Sequence, residues 1–584
     1  MKTSLLCASL ALVLLSQTAC GDDDESPTGG AGPSSGPGSG GSGNGGAATG
    51  ASGGDGGAGP TGDIIAEVQR YDLVFDLSAK TATSTLTLDV SAPGGDCLTI
   101  ASELPATAAS FDDAALEAAD VTHDGSSLHA CGPSLSAGAH SFTAEAALVA
   151  KTFHGLDVGL SVTDDFDGND FTYLLSWVGG CDHFGACDDD PSRLVELTYE
   201  IAHPAGTTAL CPGKLTAGET STTCEVLGTR APTYSAYAAM TNPGWARTPF
   251  VEAGGVEVVF YETEKGTIAD SLDPVSVGDF LDWITGLLGP LPYGDELRFA
   301  GAPTVWLGFE HPANIVLLED IDQITTSYEN TTMHVFMHEI IHQWAGDRST
   351  LATTQDFAWK EATAEYLAYV FEDEQRPPAE AASSLEYWDL ISLQAVWHVR
   401  PTDMPAPEAY EFYGDVYGPG PMLLYVQLEA LLGRDAVLAG IAAFLDQPGA
   451  RSVDDLRVAL EAESGADLAA YFDAWVVGSG APTYPSFTVV ATPDGGGNVT
   501  LTVTQAALQG APFPCAVEID VVGPTGTVTA VADFGLAPAD GTVEVTIPFT
   551  EAVQDTLVDP RHRIVDVPSG ANLAQAPRHP VWIF

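Results

Sequence analysis

The chain has 584 residues, long enough for several domains. It carries 20 Lys and Arg against 80 Asp and Glu, a formal net charge of −60 at pH 7. That acidity makes nucleic acid and anionic membrane surfaces poor partners; it favours solubility and attracts cationic peptides without identifying a fold.

In chain order, residues 1–20 read as a targeting segment. Lys2 supplies the charged start, and residues 5–15 form an apolar run too short to span a bilayer comfortably. Ser16-Gln17-Thr18-Ala19-Cys20 follows, similar to a bacterial lipoprotein cleavage site with Cys20 as the acylated first residue. Gln17 stands where leucine is usual, so ordinary secretion is the alternative. Residues 21–62 are mostly Gly, Ser, Pro and Ala. Such a segment cannot bury a core and reads as a disordered tether. Together they describe an exported protein, a cell-envelope lipoprotein anchored to a membrane through Cys20.

Residues 63–246 are strand-like. The stretches 71–77 and 84–90 are candidate strands, the second alternating polar and apolar as a half-buried strand does. Between 247 and 480 helical spacing dominates, as at 275–288, 333–337, 422–432 and 468–475. Alternation returns from 481 to 584, for example at 499–504. The expected fold is therefore multidomain α+β: an N-terminal β-domain, a mainly helical domain and a C-terminal β-sandwich. Closeness along the chain pairs Cys181 with Cys187 and Cys211 with Cys224; Cys97 and Cys131 flank one stretch of β-like sequence and are paired on that ground, which leaves Cys515 free. Sequence alone leaves that connectivity open. Residues 164–170 resemble a calcium loop at first sight. Aligning Gly168 with the loop's glycine puts Thr163 at the first acidic position, and no glutamate closes the frame, so an acidic turn is the better reading.

The chemistry sits in His338-Glu339-Ile340-Ile341-His342. On a helix, residues four apart share a face, so both imidazoles reach one metal ion and Glu339 lies beside it. The bland alternative is a core helix with two satisfied histidines. A second helical pattern, Trp359-Lys360-Glu361-Ala362-Thr363-Ala364-Glu365, decides against it, because Glu361 completes the three-ligand set of a catalytic zinc with one open position. The donor set suits zinc.

These residues resemble the membrane alanyl aminopeptidase (aminopeptidase N) family of gluzincin zinc metallopeptidases. His342-Gln343-Trp344-Ala345-Gly346 is similar to the family's HQWxG, and Glu361 lies in WKEATAEYL, similar to WLNEGFAEYL. Lys360 stands at the family's asparagine. Gly308-Phe309-Glu310-His311 resembles the Gly-x-Met-Glu-Asn strand, Cys187 to Pro191 the CxDEP segment, and Val416-Tyr417-Gly418-Pro419-Gly420 the VYxxG segment. The resemblance implies a thermolysin-like catalytic domain preceded by a β-domain. Many members of that family carry a large C-terminal helical domain, and no such pattern follows here.

Carried over, the resemblance implies one zinc on His338, His342 and Glu361, with Glu339 as general base and acid. Tyr417 is implied as oxyanion donor, with Tyr413 as runner-up, and Glu310 as binder of the substrate's α-ammonium. The family also offers a glutamine to that amine near residues 175–181, where this chain has none. Asp347 or Glu365 would either orient a ligand histidine or be solvated helix charges. The expected activity is removal of N-terminal residues from peptides. The rivals are a zinc endopeptidase on the same core and a catalytically silent peptide-binding protein.

Overall fold

The computed structural model describes residues 64–91, 96–132, 135–153, 158–304, 306–404, 417, 418, 420, 422–506 and 511–567. The N-terminal region is built on an eight-stranded sheet in which Ala66–Asp76 pairs antiparallel with Thr81–Val90 and parallel with Leu194–Ala202. The alternation read in the sequence is what the sheet uses: Leu86 and Leu88 are buried while Thr85 and Thr87 are half-exposed. Tyr71, Leu73 and Phe75 fill the same core. A five-stranded sheet containing Asp170–Leu175 and Ala238–Asn242 covers it towards the helices.

Three disulfides join Cys97 to Cys131, Cys181 to Cys187 and Cys211 to Cys224, and Cys515 is free and buried. Disulfides of this kind mark a protein that folds in an oxidising compartment. The acidic stretch after Thr163 is a turn. The Asp165 carboxylate accepts from the Asp167 and Asn169 backbone N–H groups and from the Asn242 side chain. Cys20 and Tyr413 lie outside the described residues. Among those residues no helix is long and apolar enough to cross a membrane.

The helical region opens with a five-stranded sheet in the order Ala246–Ala253, Val256–Glu262, Glu296–Ala302, Asn314–Leu318, Gly308–Phe309. Every residue of Asn314–Leu318 is buried, as in a strand covered on both faces. Gly308–Phe309 is the short edge strand, antiparallel to its neighbour. Helix Pro274–Leu288 starts at Asp273, whose side chain accepts from Val275 and Ser276 N–H, with proline at the first turn. Helix Thr331–Ile341 is capped by Asn330, which accepts from Met333 N–H. Helix Phe357–Gln375 is buried from Phe357 to Glu372 and so shows no amphipathic stripe.

Beyond Trp475 the chain forms two three-stranded sheets. Ser486–Pro493, Asn498–Ala506 and Thr542–Pro548 make one; Thr527–Gly535, Cys515–Val522 and Asp555–Val558 make the other. They share a hydrophobic core with the helices. The Trp475 ring packs 4.7 Å from Phe513 and its indole N–H donates to Pro514 O at 2.8 Å.

Candidate active site

Helix Thr331–Ile341 runs beneath the edge strand and carries His338 and Glu339 in its last turn; His342 is its C-terminal cap. Helix Phe357–Gln375 packs beside it and brings Glu361 in from its second turn. The three side chains converge. His338 Nε2 lies 2.9 Å from His342 Nε2, and Glu361 Oε2 lies 3.4 Å and 3.5 Å from those two nitrogens. Ligands about 2.0–2.2 Å from a tetrahedral ion stand roughly 3.3–3.6 Å apart. Both Glu361–histidine separations lie in that range, and a small parting of the two imidazoles brings the third into it, so the three donors can hold one metal ion.

The outward nitrogens are oriented for that task. His342 Nδ1 donates to Ala345 O at 2.8 Å, which leaves the Nε2 lone pair for the metal position. His338 Nδ1 lies 3.2 Å from Glu365 Oε1. Glu365 is thus no solvated helix charge. It is 7% exposed and also accepts from Trp388 Nε1 at 2.9 Å and meets His334 Nε2 at 3.0 Å. His334 joins Glu365 to Glu372 Oε1, 2.7 Å from its Nδ1. Burial alone would lower the His334 pKa, but these two carboxylates outweigh it and raise it to about 9. The sequence reading missed His334, although it stands one turn before His338. Asp347 is also fully buried, yet its partner is Gln343 Nε2 at 3.2 Å rather than a histidine. Packing around both acids leaves no room for the solvated alternative.

Glu339 is 5% exposed, and burial pushes its carboxyl up to about 8 against the opposing pull of His338. Its Oε2 has no hydrogen-bond partner among the described residues. The side chain lies directly against Gly308: a Cβ at that position would sit 2.4 Å from Glu339 Oε1. Glu310 follows the edge strand. Gln343 braces that loop by accepting from Ala313 N–H at 2.7 Å and donating to His311 O at 3.1 Å. His311 is buried beside it, with Nδ1 donating to Ser235 O at 2.6 Å; burial pulls its pKa down to about 4, so it is neutral.

Lys360 is the largest surprise. It is 1% exposed; Nζ donates to Glu361 Oε1 at 2.7 Å and lies 2.9 Å from Glu310 Oε1. Burial would raise the Glu310 carboxyl, but Lys360 and then His342 outweigh it and hold it below the usual range. The sequence showed the Lys360 replacement but not this pairing, because Glu310 lies far away along the chain.

The cavity above these groups is lined by Trp177, Trp306 and Phe309 as well as Glu310, Glu339 and Lys360. Trp177 belongs to the N-terminal β region and meets Trp306 edge-to-face, ring centres 4.9 Å apart. The stretch that lacks the family's glutamine therefore supplies an aromatic wall instead. The same region docks just after helix Thr331–Ile341, through Tyr234 OH to Gly346 O at 2.8 Å and Thr350 Oγ1 to Pro191 O at 2.7 Å. Of Tyr417 only the backbone is described, in a short parallel pairing with Trp397.

Residues 308–475 match the profile of the Peptidase family M1 domain. The chain is 28% identical over 213 residues to aminopeptidase N of Lactobacillus delbrueckii subsp. lactis, covering 34% of this chain and 25% of that protein. It is 29% identical over 220 residues to aminopeptidase N of Lactococcus lactis subsp. cremoris (strain MG1363), covering 35% and 25%. The matches thus span about a quarter of the length of these relatives. Among solved structures, Legionella pneumophila aminopeptidase A in complex with aspartic acid superposes with a TM-score of 0.67 at 14% identity, over 86% of this chain and 60% of that one. That likeness concerns the fold.

Proposed function

We propose, from the premise that residues 308–475 belong to peptidase family M1, that this protein is a zinc aminopeptidase which removes N-terminal residues from peptides. The observation that carries the reading is the convergence of His338, His342 and Glu361 on one point, with the Glu339 carboxylate beside it. The domain layout we adopt is an N-terminal β-domain to residue 246, a thermolysin-like domain to 480 and a C-terminal β-sandwich.

His338, His342 and Glu361 would hold the zinc. When bound, zinc lowers the pKa of a water and polarises the scissile carbonyl. Glu339 takes the water's proton on its carboxylate and delivers it to the leaving amine. Glu310 receives the substrate's α-ammonium, and Tyr417 donates to the developing oxyanion. Removing a donor of that kind costs about 10²–10³ in kcat. Trp177, Trp306 and Phe309 exclude water from one side of the cavity. The disulfides support export, and we assign acylation to Cys20 with residues 21–62 as a tether.

The test is hydrolysis of a panel of aminoacyl amides by the purified protein, with Glu339→Gln as control. We expect turnover by the parent and a loss of at least about 10²-fold in the variant. No turnover of any free-amine substrate by zinc-loaded protein would sink the reading in favour of an endopeptidase or a silent binder.

A further inference from the structure

The chemistry above gives no task to Lys360, yet its ammonium is buried at the centre of the site. A buried cation is tolerated only when it is paired. Two carboxylates pair this one, Glu361 Oε1 at 2.7 Å and Glu310 Oε1 at 2.9 Å. The stem is held in place. It passes over Gly346, where a Cβ would sit 2.8 Å from Lys360 Cε, and the ammonium lies 5.6 Å from the centre of the Phe357 ring. Glu361 therefore divides its oxygens: Oε2 faces the two histidines and Oε1 faces Lys360.

The consequence falls on Glu310. A carboxylate attracts an incoming ammonium most when nothing else neutralises it, and a second cation beside it repels the newcomer. Here the neutralising charge is covalently part of the protein and cannot diffuse away. Asparagine, the residue of the resembling family at this position, would leave the Glu310 charge free.

We propose that Lys360 is a specificity-determining residue: its ammonium competes with the substrate's α-amine for Glu310, so the amine adds less affinity here than it would beside an uncharged residue at position 360. This rests on the reading of Glu310 as the amine-binding group.

The experiment compares L-leucine hydroxamate with its des-amino counterpart, 4-methylpentanohydroxamate, by calorimetry on the zinc-loaded full chain. KM and kcat for leucyl and N-acetyl-leucyl amides accompany it. In the parent we expect the two hydroxamate affinities to agree within about tenfold. Close charge pairs at interfaces couple by about tenfold or more in affinity. Lys360→Met should therefore widen the preference for the amine by at least about tenfold, through KM rather than kcat. Lys360→Arg should keep the narrow parental ratio. Zinc affinity, from competition with a chelator, should change by less than about tenfold in Lys360→Met; a larger loss would assign Lys360 to the metal and overturn the proposal. A parental preference for the amine above about hundredfold, abolished by Glu310→Gln, would also overturn it while leaving the aminopeptidase reading intact. That parental ratio decides the matter even if Lys360→Met does not fold. Binding of neither hydroxamate, with no turnover, would overturn both.

Discussion

Glu339 and Gly308 act as one unit at the scale of single residues. The carboxylate of the candidate base rests on a position that has room for hydrogen only: an added Cβ would meet Glu339 Oε1 at 2.4 Å. Gly308→Ala should therefore displace Glu339 and lower kcat about hundredfold, the typical cost of misplacing a reacting group by 1 Å. Zinc content should stay at the parental value, since Gly308 does not touch the ligands' nitrogens. Steady-state kinetics with metal analysis checks this; unchanged kcat would contradict it. His338, Glu339 and His342 were legible in the sequence because helical spacing puts the two histidines on one face, and Glu361 was legible as the carboxylate of a second helical pattern that completes a three-ligand set. The Gly308 contact and the Lys360–Glu310 pair were not, because each joins a strand to a helix through tertiary packing alone.

Elements differ in how openly their sequences announce them. Helix Thr331–Ile341 was found through its histidines, and helix Phe357–Gln375 through Glu361 rather than through periodicity, because burial on all sides removes the polar stripe. The strand Thr81–Val90 was legible from its alternation, since only one face is covered. Burial of charge has a further consequence at the loop closed by Cys181 and Cys187, in Asp182 within it and Asp189 just after it. Burial, reinforced by Glu103, pushes Asp182 up to about 7; burial, reinforced by Asp182, pushes Asp189 up to about 8. Both folded-state values exceed the unfolded ones, so the folded protein holds these protons more tightly. The stability they contribute is complete below about pH 4 and is lost as pH rises through 7 to 8. Asp189→Asn mimics the protonated acid. It should raise the melting temperature at pH 8 by about 2–4 °C and leave it nearly unchanged at pH 5. Calorimetric scans at the two pH values measure this, and an equal shift at both would refute the linkage.

Across the whole molecule, the β-rich N-terminal region and the helical segments that follow were legible from changes in periodicity, whereas the five-stranded sheet between Ala246 and Leu318 was not. What those changes do not disclose is how the regions share work. Trp177 from the first region lines the cavity of the second. Residues beyond the last strand return to the helices: Arg563 Nη2 lies 2.7 Å from Glu429 Oε2, Val565 N–H donates to Gln427 Oε1 at 3.1 Å, and His562 Nδ1 lies 2.8 Å from Asp389 Oδ2. Such contacts depend on long-range packing, for which a linear pattern carries no signal. They tie the end of the described chain to helices Leu423–Leu432 and Pro378–Ser392, both of which pack against the helix that carries Glu361. The claim on which the account rests is that those ligands hold a zinc ion that the reaction requires. The most direct measurement is hydrolysis of a leucyl amide before and after chelation, with zinc titrated back into the stripped protein. The account predicts that activity disappears on chelation and returns fully at one equivalent of zinc, in the parent but not in His342→Ala. Activity that survives complete removal of metal would contradict it.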